Sequence, residues 1–324
     1  MEFWQDQPDL LIRLKEVQET MLEKIPNEGR LPAIARQQAS NEGKMLRPAL
    51  MLFAAGLDTR PREADHLAAA LEYFHLASLV HDDIVDQADE RRGELTVATQ
   101  YGISLALYTG DYLIWLAVKC LSEVDPGLVP DKLMDLMSPL LEAETEQLQT
   151  RYSTVITEEE YMRRIEAKTG LLFSYGAAAG YALRSANRTE LEAIKQAGQD
   201  LGVAFQLRDD LEDLLDPSHP DLKEGSYTYP VLQAMTKDES IRSLLEKARE
   251  THDPLLYDQI VERTLAAGGI EGTEKTIRIH LEAAEIVFKE LLGADEWHLY
   301  QWMTGKLYGG PDGNQNPRED QLKP

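Results

Sequence analysis

The chain reads as an all-α protein. Its apolar residues recur at intervals of three and four rather than two, long stretches without Gly or Pro alternate with short clusters of those breakers, and no alternating run is long enough to compete as a strand. Breakers at Ile25 to Pro32 close the first helical stretch, and those at Gly56 to Pro61 close the next. The clearest helix is predicted over residues 62–92, where Leu67, Ala70, Leu71, Phe74, Ala77, Ser78 and Val85 form one stripe; unbroken, it would be ~45 Å long. Clusters at Gly93 to Gly102, Asp125 to Pro130, Ser185 to Asn187, Pro217 to Pro230, His252 to Pro254 and Gly268 to Gly272 separate the later stretches, so roughly ten helices are expected. Pro139 predicts a kink in its helix. No Pro/Ser-rich linker or shift of composition divides the chain, which predicts one large helical domain over residues 1–307, with its site between long helices. From Tyr308 the sequence YGGPDGNQNPREDQLKP has almost nothing apolar to anchor it, and residues 308–324 are expected to be a disordered tail.

Composition removes several classes of function. The chain has 324 residues, with 57 Asp and Glu against 33 Lys and Arg, a formal charge of -24. Such a field repels a phosphate backbone unless the few cations are gathered in one place, so nucleic-acid binding is disfavoured. A hydrophobic share of 43% beside 28% charged residues is that of a globular protein rather than a disordered one. The single cysteine, Cys120, lies in an apolar stretch, and neither a disulfide framework nor a thiolate metal site is available to it. A cytoplasmic location is expected. The opening residues MEFWQDQPDLLIRLKE carry acids where a signal peptide carries bases, and no apolar run is read as reaching the ~18 to 20 residues that span a bilayer. Any membrane contact is expected to be peripheral.

One spacing occurs twice: Asp82, Asp83 and Asp86 in HDDIVD, and Asp209, Asp210 and Asp213 in RDDLED, each near the end of an apolar helix. Residues four apart share a helix face, so Asp82 points with Asp86 and Asp209 with Asp213. A single acidic run of this kind is as readily a solvated helix end. The repetition is what points to hard divalent cations, Mg2+ above all, which take oxygen ligands, retain water and share further oxygens with a phosphate. The scarce cations agree: Lys44 and Arg47 stand in GKMLRP, Arg91 and Arg92 follow the first comb, and Lys168 with Thr169 stands in EAKTGLLF. Taken together they suit more than one diphosphate group, although each alone reads equally as surface charge. His75, seven residues before Asp82, lies on nearly the same helix face.

LEYFHLASLVHDDIVDQADERRGELTV, GKMLRP, YTGDYL, AETEQ, KTGLLF and FQLRDDLED, spread over residues 43 to 213, resemble the all-trans polyprenyl diphosphate synthases, in their long-chain, heptaprenyl- or hexaprenyl-like form. The resemblance implies an isoprenoid-synthase bundle of about ten or more helices around a central cavity, a homodimer or a heteromer, and head-to-tail addition of isopentenyl diphosphate to an allylic diphosphate. It implies Mg2+, three ions with substrate bound, at Asp82, Asp83, Asp86, Asp209, Asp210 and Asp213. Arg91 and Lys168 would hold the allylic diphosphate, and Lys44, Arg47, His75 and Arg92 would hold isopentenyl diphosphate. Thr169 and Gln206 would face the reacting carbons, with departed diphosphate as the base.

One turn below the first comb stand Ser78 and Ala77, too small to block a growing chain, and two turns below stand Phe74 and Tyr73, which form either a floor or ordinary core. They lie ~12 to 14 Å of helix rise from Asp82; read as core rather than as a floor they leave the path open, and a long product, about C30 to C40, is expected. Two departures from the family pattern stand out. Met45 takes the place of a common Arg, and the loop LLDPSHPDLKEGSYTYP is short, lacks two customary lysines and has Ser226 at one of those places, leaving Lys223 as a substitute. Two other readings follow from the same residues: a non-elongating terpene-cyclase-like lyase, which has no need of Lys44, Arg47, His75 and Arg92, and a subunit of a heteromeric synthase.

Overall fold

The computed structural model describes residues 1–41, 43–91, 93–128 and 133–309. Among them the chain is helical nearly throughout, and the strands are one two-residue hairpin. The residues group into two compact units, Met1–Pro130 with Gly176–Ile194 and Val287–Pro324, and Asp131–Tyr175 with Lys195–Ile286.

The first unit opens with α1 (Pro8–Lys24), α2 (Arg30–Ser40), α3 (Leu46–Ala55) and α4 (Pro61–Val85). Of α3 only Arg47 escapes full burial, and the middle of α4, from Leu67 to Leu71, is buried on every side. Pro61 suits the first position of α4, where no N–H is needed. The helix ends at Val85, seven residues short of the predicted end. Asp86 caps it, its amide closing on the Asp82 carbonyl at 2.8 Å, and Gln87 turns the chain with φ 54°. Val85, assigned to the buried stripe, is 43% exposed. The physical reason is that the acid-rich DQADERRG offers nothing apolar to bury, so continued helix would gain no packing. In its place β1 (Glu90–Arg91) pairs antiparallel with β2 (Glu94–Leu95).

After α5 (Val97–Tyr101) comes α6 (Ile103–Leu121), which packs along α4. A Cβ on Gly110 would collide with the His81 ring, so glycine sets how closely these two helices approach. At 19 residues and mean hydropathy 1.2, α6 is long and apolar enough to cross a membrane, which corrects the reading that no run is. One face of it, Ala106, Thr109, Gly110, Leu113, Leu116, Ala117 and Cys120, is buried within the first unit. The Cys120 thiol is fully buried and pushed up to about 12. The other face exposes Ile103, Leu107, Tyr108, Trp115 and Val118.

Pro139 does not kink its helix; it lies in the first turn of α7 (Met137–Gln149), where a missing N–H costs no hydrogen bond. In α8 (Glu158–Ile165) the Thr157 hydroxyl accepts from the Glu160 amide while the Glu160 carboxylate accepts from the Thr157 amide, a reciprocal cap. A π-helical turn, Glu166–Gly170, joins α8 to α9 (Leu171–Ala182). The chain continues as α10 (Arg188–Leu215), α11 (Pro220–Glu224), α12 (Tyr229–Lys237), α13 (Ser240–Thr251), α14 (Pro254–Ala266), α15 (Gly269–Leu291) and α16 (Ala294–Tyr308). Two breaker clusters thus hold short helices of their own, α5 and α11. Tyr308 ends α16 instead of opening a tail, and residues 310–324 lie outside the described residues.

Candidate active site

The two combs are built alike. On α4, Asp82 and Asp86 are half-buried one turn apart and Asp83 is buried; on α10, Asp209 and Asp213 repeat the half-buried pair and Asp210 is the buried middle acid. Helical spacing dictates this, since i and i+4 share a face and i+1 is turned about 100° away from i. Each buried middle acid is met by donors. The Arg91 Nε in β1 donates to Asp83 Oδ1 at 2.7 Å. Burial pushes the Asp83 carboxyl up, and the guanidinium opposes that push.

Asp210 is met differently, within the second unit. The Tyr161 hydroxyl of α8 donates to its Oδ2 at 2.6 Å, the Gln206 amide donates to its Oδ1 at 3.2 Å, and the Tyr229 backbone N–H donates as well. The Thr169 hydroxyl in turn donates to Gln206 Oε1 at 2.7 Å, so Thr169, Gln206, Asp210 and Tyr161 form one chain of hydrogen bonds. Even so, burial pushes Asp210 up to about 6. Asp209 rises to about 7, first through burial and then through the neighbouring charge of Glu212. Asp213 rises for the same two reasons. Burial and the Asp210 charge hold the Tyr161 hydroxyl protonated, well above its ordinary value.

The cations predicted from the sequence are placed as follows. Lys168, in the π-helical turn, holds Glu144 of α7 at 2.9 Å. Lys44 is exposed just before α3, and Arg47 lies half-buried in the first turn of that helix. Their intervening Met45 is buried with φ 47°, so the side chain that replaces the common Arg joins the core. His75 is half-buried and its carbonyl accepts from the Ser78 hydroxyl at 2.8 Å. Arg92 lies outside the described residues. Lys223 is exposed and acts on Asp216, while Ser226 bonds back to the Asp221 carbonyl at 2.8 Å. Below the first comb Ala77 is buried, and Phe74 and Tyr73 are core. The Tyr73 hydroxyl is anchored on the Met21 carbonyl at 2.5 Å.

Tyr161, Glu144 and Asp221 escaped the sequence reading. Asp221 of α11 is raised well above the usual carboxylate range by burial, then by Asp213 and Asp210, with Lys168 opposing. Its signal was available in the shortened loop, and that of Glu144 in AETEQ. Nothing local marks Tyr161.

Among the described residues no three His, Cys, Asp or Glu side chains converge tightly enough to cage a metal. The donors are hard carboxylate oxygens in half-buried pairs, crowded by further acids at the second comb. They fit an ion that completes its shell with water and phosphate oxygens, as Mg2+ does, and not a stripped or thiophilic ion.

Residues 28–263 match the family described as polyprenyl synthetase. The chain belongs to that family. As a polyprenyl synthetase family member it is a prenyltransferase enzyme of the trans type. It is similar to the octaprenyl diphosphate synthase of Escherichia coli strain K12, 32% identical over 249 residues, 73% of this chain and 76% of that one. It is also similar to heptaprenyl diphosphate synthase component 2 of Geobacillus stearothermophilus, 33% identical over 211 residues, 63% of this chain and 66% of the relative. A decaprenyl diphosphate synthase from Rhodobacter capsulatus superposes with a TM-score of 0.86 at 26% identity, over 94% of this chain and 97% of that one.

Proposed function

We propose that this polyprenyl synthetase lengthens an allylic diphosphate by head-to-tail addition of isopentenyl diphosphate to a product of about C30 to C40, because Ala77 and Ser78 are too small to block the chain and Phe74 and Tyr73 belong to the core rather than to a floor ~12 to 14 Å below the comb. The observation that carries this reading is the repeated comb, whose half-buried pairs, Asp82 with Asp86 and Asp209 with Asp213, present oxygen donors while the middle acid anchors each helix. These pairs would hold Mg2+, which when bound supplies the positive charge that favours departure of diphosphate.

The chain's own side chains do the rest. Arg91 and Lys168 are held by Asp83 and Glu144 at 2.7 and 2.9 Å, so their charges are positioned for an allylic diphosphate before it arrives. Lys44 and Arg47 flank the start of α3, and with His75 and Arg92 they are assigned to isopentenyl diphosphate. Thr169 and Gln206 orient one another toward Asp210 and present polar oxygen near the reacting carbons. Small Ala77 and Ser78 leave room for a growing chain.

The exposed face of α6 supports a homodimer: Ile103, Leu107, Tyr108, Trp115 and Val118 make an apolar stripe of the kind that marks protein contacts. A heteromer is a second reading, favoured by the name component 2 carried by the Geobacillus relative. The test is purified chain with Mg2+, labelled isopentenyl diphosphate and a set of allylic primers, with the products sized. Long polyprenyl diphosphates from this chain alone are expected, and inactivity restored only by a second kind of subunit would replace the first reading with the second. Ala77→Tyr is expected to shorten the product to about C15, since the ring would intrude one turn below the comb. An unchanged profile would overturn the path assigned to the growing chain.

A further inference from the structure

Lys44 is exposed, yet its backbone is held with unusual care. Trp4, in the short segment Glu2–Trp4, has no exposed surface, and its indole N–H donates to the Lys44 carbonyl at 2.6 Å across forty residues of sequence. That carbonyl belongs to the peptide joining Lys44 to Met45, and Met45 sits in the left-handed region at φ 47° immediately before α3 begins. A non-glycine residue in that region persists only where its surroundings fix it. The Trp4 hydrogen bond fixes the orientation of that peptide plane. Without that bond, rotation about the Lys44 ψ or the Met45 φ angle alone would turn the Lys44 side chain relative to the first turn of α3, which carries Arg47.

Trp4 is itself fixed. Its ring lies edge-on to Phe53 of α3 at 6.0 Å, against Trp302 of α16 at 5.4 Å and against Phe3 at 4.8 Å. The Phe3 carbonyl accepts from the Lys306 ammonium at 2.7 Å, which ties the segment to α16. The Lys44 ammonium also lies over the Phe3 ring at 5.8 Å. Three aromatic rings thus hold Trp4, and its indole holds the peptide that leads into Lys44 and Arg47.

We infer that Trp4 is a positioning residue for the isopentenyl diphosphate site, its indole N–H locking the Lys44–Met45 peptide so that Lys44 and Arg47 are aimed together. This rests on the assignment of Lys44 to that substrate. The test is steady-state kinetics in both substrates with thermal unfolding alongside. Trp4→Phe keeps a ring in the stack and removes the donor, and benzothienylalanine placed at position 4 keeps the bicyclic shape and replaces only the N–H. Either change should raise KM for isopentenyl diphosphate about 3- to 10-fold and leave kcat and the allylic KM within about twofold, with a smaller fall in Tm for benzothienylalanine than for Trp4→Phe, which also leaves a cavity. Trp302→Phe disturbs the same cluster without touching the tether and should leave both KM values unchanged. Adding Trp4→Phe to Lys44→Ala should raise KM by a smaller factor than Trp4→Phe does alone, because part of what Trp4 does is to aim Lys44. An unchanged isopentenyl diphosphate KM in the position-4 variants, with a raised one in Lys44→Ala, would overturn the role of Trp4 and leave the site assignment standing. An unchanged KM in Lys44→Ala itself would overturn that assignment. Equal rises in both KM values with a fall in Tm, shared by Trp302→Phe, would reduce Trp4 to packing.

Discussion

Asp83 and Asp210 are the same residue of the same pattern, yet one is met by a guanidinium and the other by a phenol, a side-chain amide and a backbone amide. At the first comb a full positive charge opposes the cost of burying the acid. At the second the donors are neutral, further acids crowd in from Glu212 and Asp221, and Asp209 and Asp210 rise to about 7 and 6. Two combs of one spacing therefore differ in their surroundings: at the first a guanidinium meets the middle acid directly, whereas at the second burial and neighbouring acids outweigh the opposing charges of Arg208 and Lys168.

The largest expected effect breaks the likeness between them. Asp82→Ala or Asp209→Ala should each lower kcat by about 10²- to 10³-fold, as loss of one charge-stabilising group does, measured by incorporation of labelled isopentenyl diphosphate. Undiminished turnover in one would show that the combs do not share the chemistry. Stability sharpens the contrast next. Tyr161→Phe leaves a buried Asp210 oxygen without its hydroxyl donor and should cost about 1 to 3 kcal/mol, read by denaturant unfolding of the metal-free protein. Arg91→Ala removes a charged partner that is itself 38% exposed, and water can partly replace it, so about 1 kcal/mol is expected.

The pH dependence is subtler and has a definite sign. Asp209 and Asp210 have folded values above the unfolded 3.8, so the folded chain binds more protons between about pH 4 and 7, and metal-free stability falls as pH rises through that window. Without metal, Tm should be higher at pH 6 than at pH 8, and the increase in Tm on adding Mg2+ with diphosphate should be larger at pH 8. Asp209→Asn should raise metal-free Tm by about 2 °C at pH 8, by removing one of the repelling charges, and should weaken the pH dependence, with Asp210 and Asp221 left to carry the rest. A variant that melts at the wild-type temperature would show that Asp209 is not held at an energetic cost.

Local period made much of this legible. The stripe Leu67, Ala70, Leu71, Phe74 and Ala77 is buried as its spacing predicts, and the pairing of Asp82 with Asp86 and of Asp209 with Asp213 follows from 3.6 residues per turn. What each middle acid touches was not legible. Tyr161 is 49 residues from Asp210 and Glu144 is 24 from Lys168, and no local pattern specifies contacts that tertiary packing creates. The end of α4 was misplaced for a related reason: helix propensity continues through DQADERRG, but the burial that would stabilise it does not. The length of α6 was missed because Asp111 and Lys119 punctuate an apolar helix without interrupting it. The π-helical turn at Glu166–Gly170 has no composition of its own, and at its end α10 brings Gly202 so near that a Cβ there would lie 2.8 Å from the Gly170 Cα.

Cys120 gives the molecule a built-in reporter. Its sulfur is sealed into α6 with a thiol too weakly acidic to ionise near neutrality, so a thiol-specific reagent can label the folded chain only when the first unit opens. The chain has one cysteine, and the rate of its modification therefore times that opening directly, with or without substrates present, and needs no engineered probe.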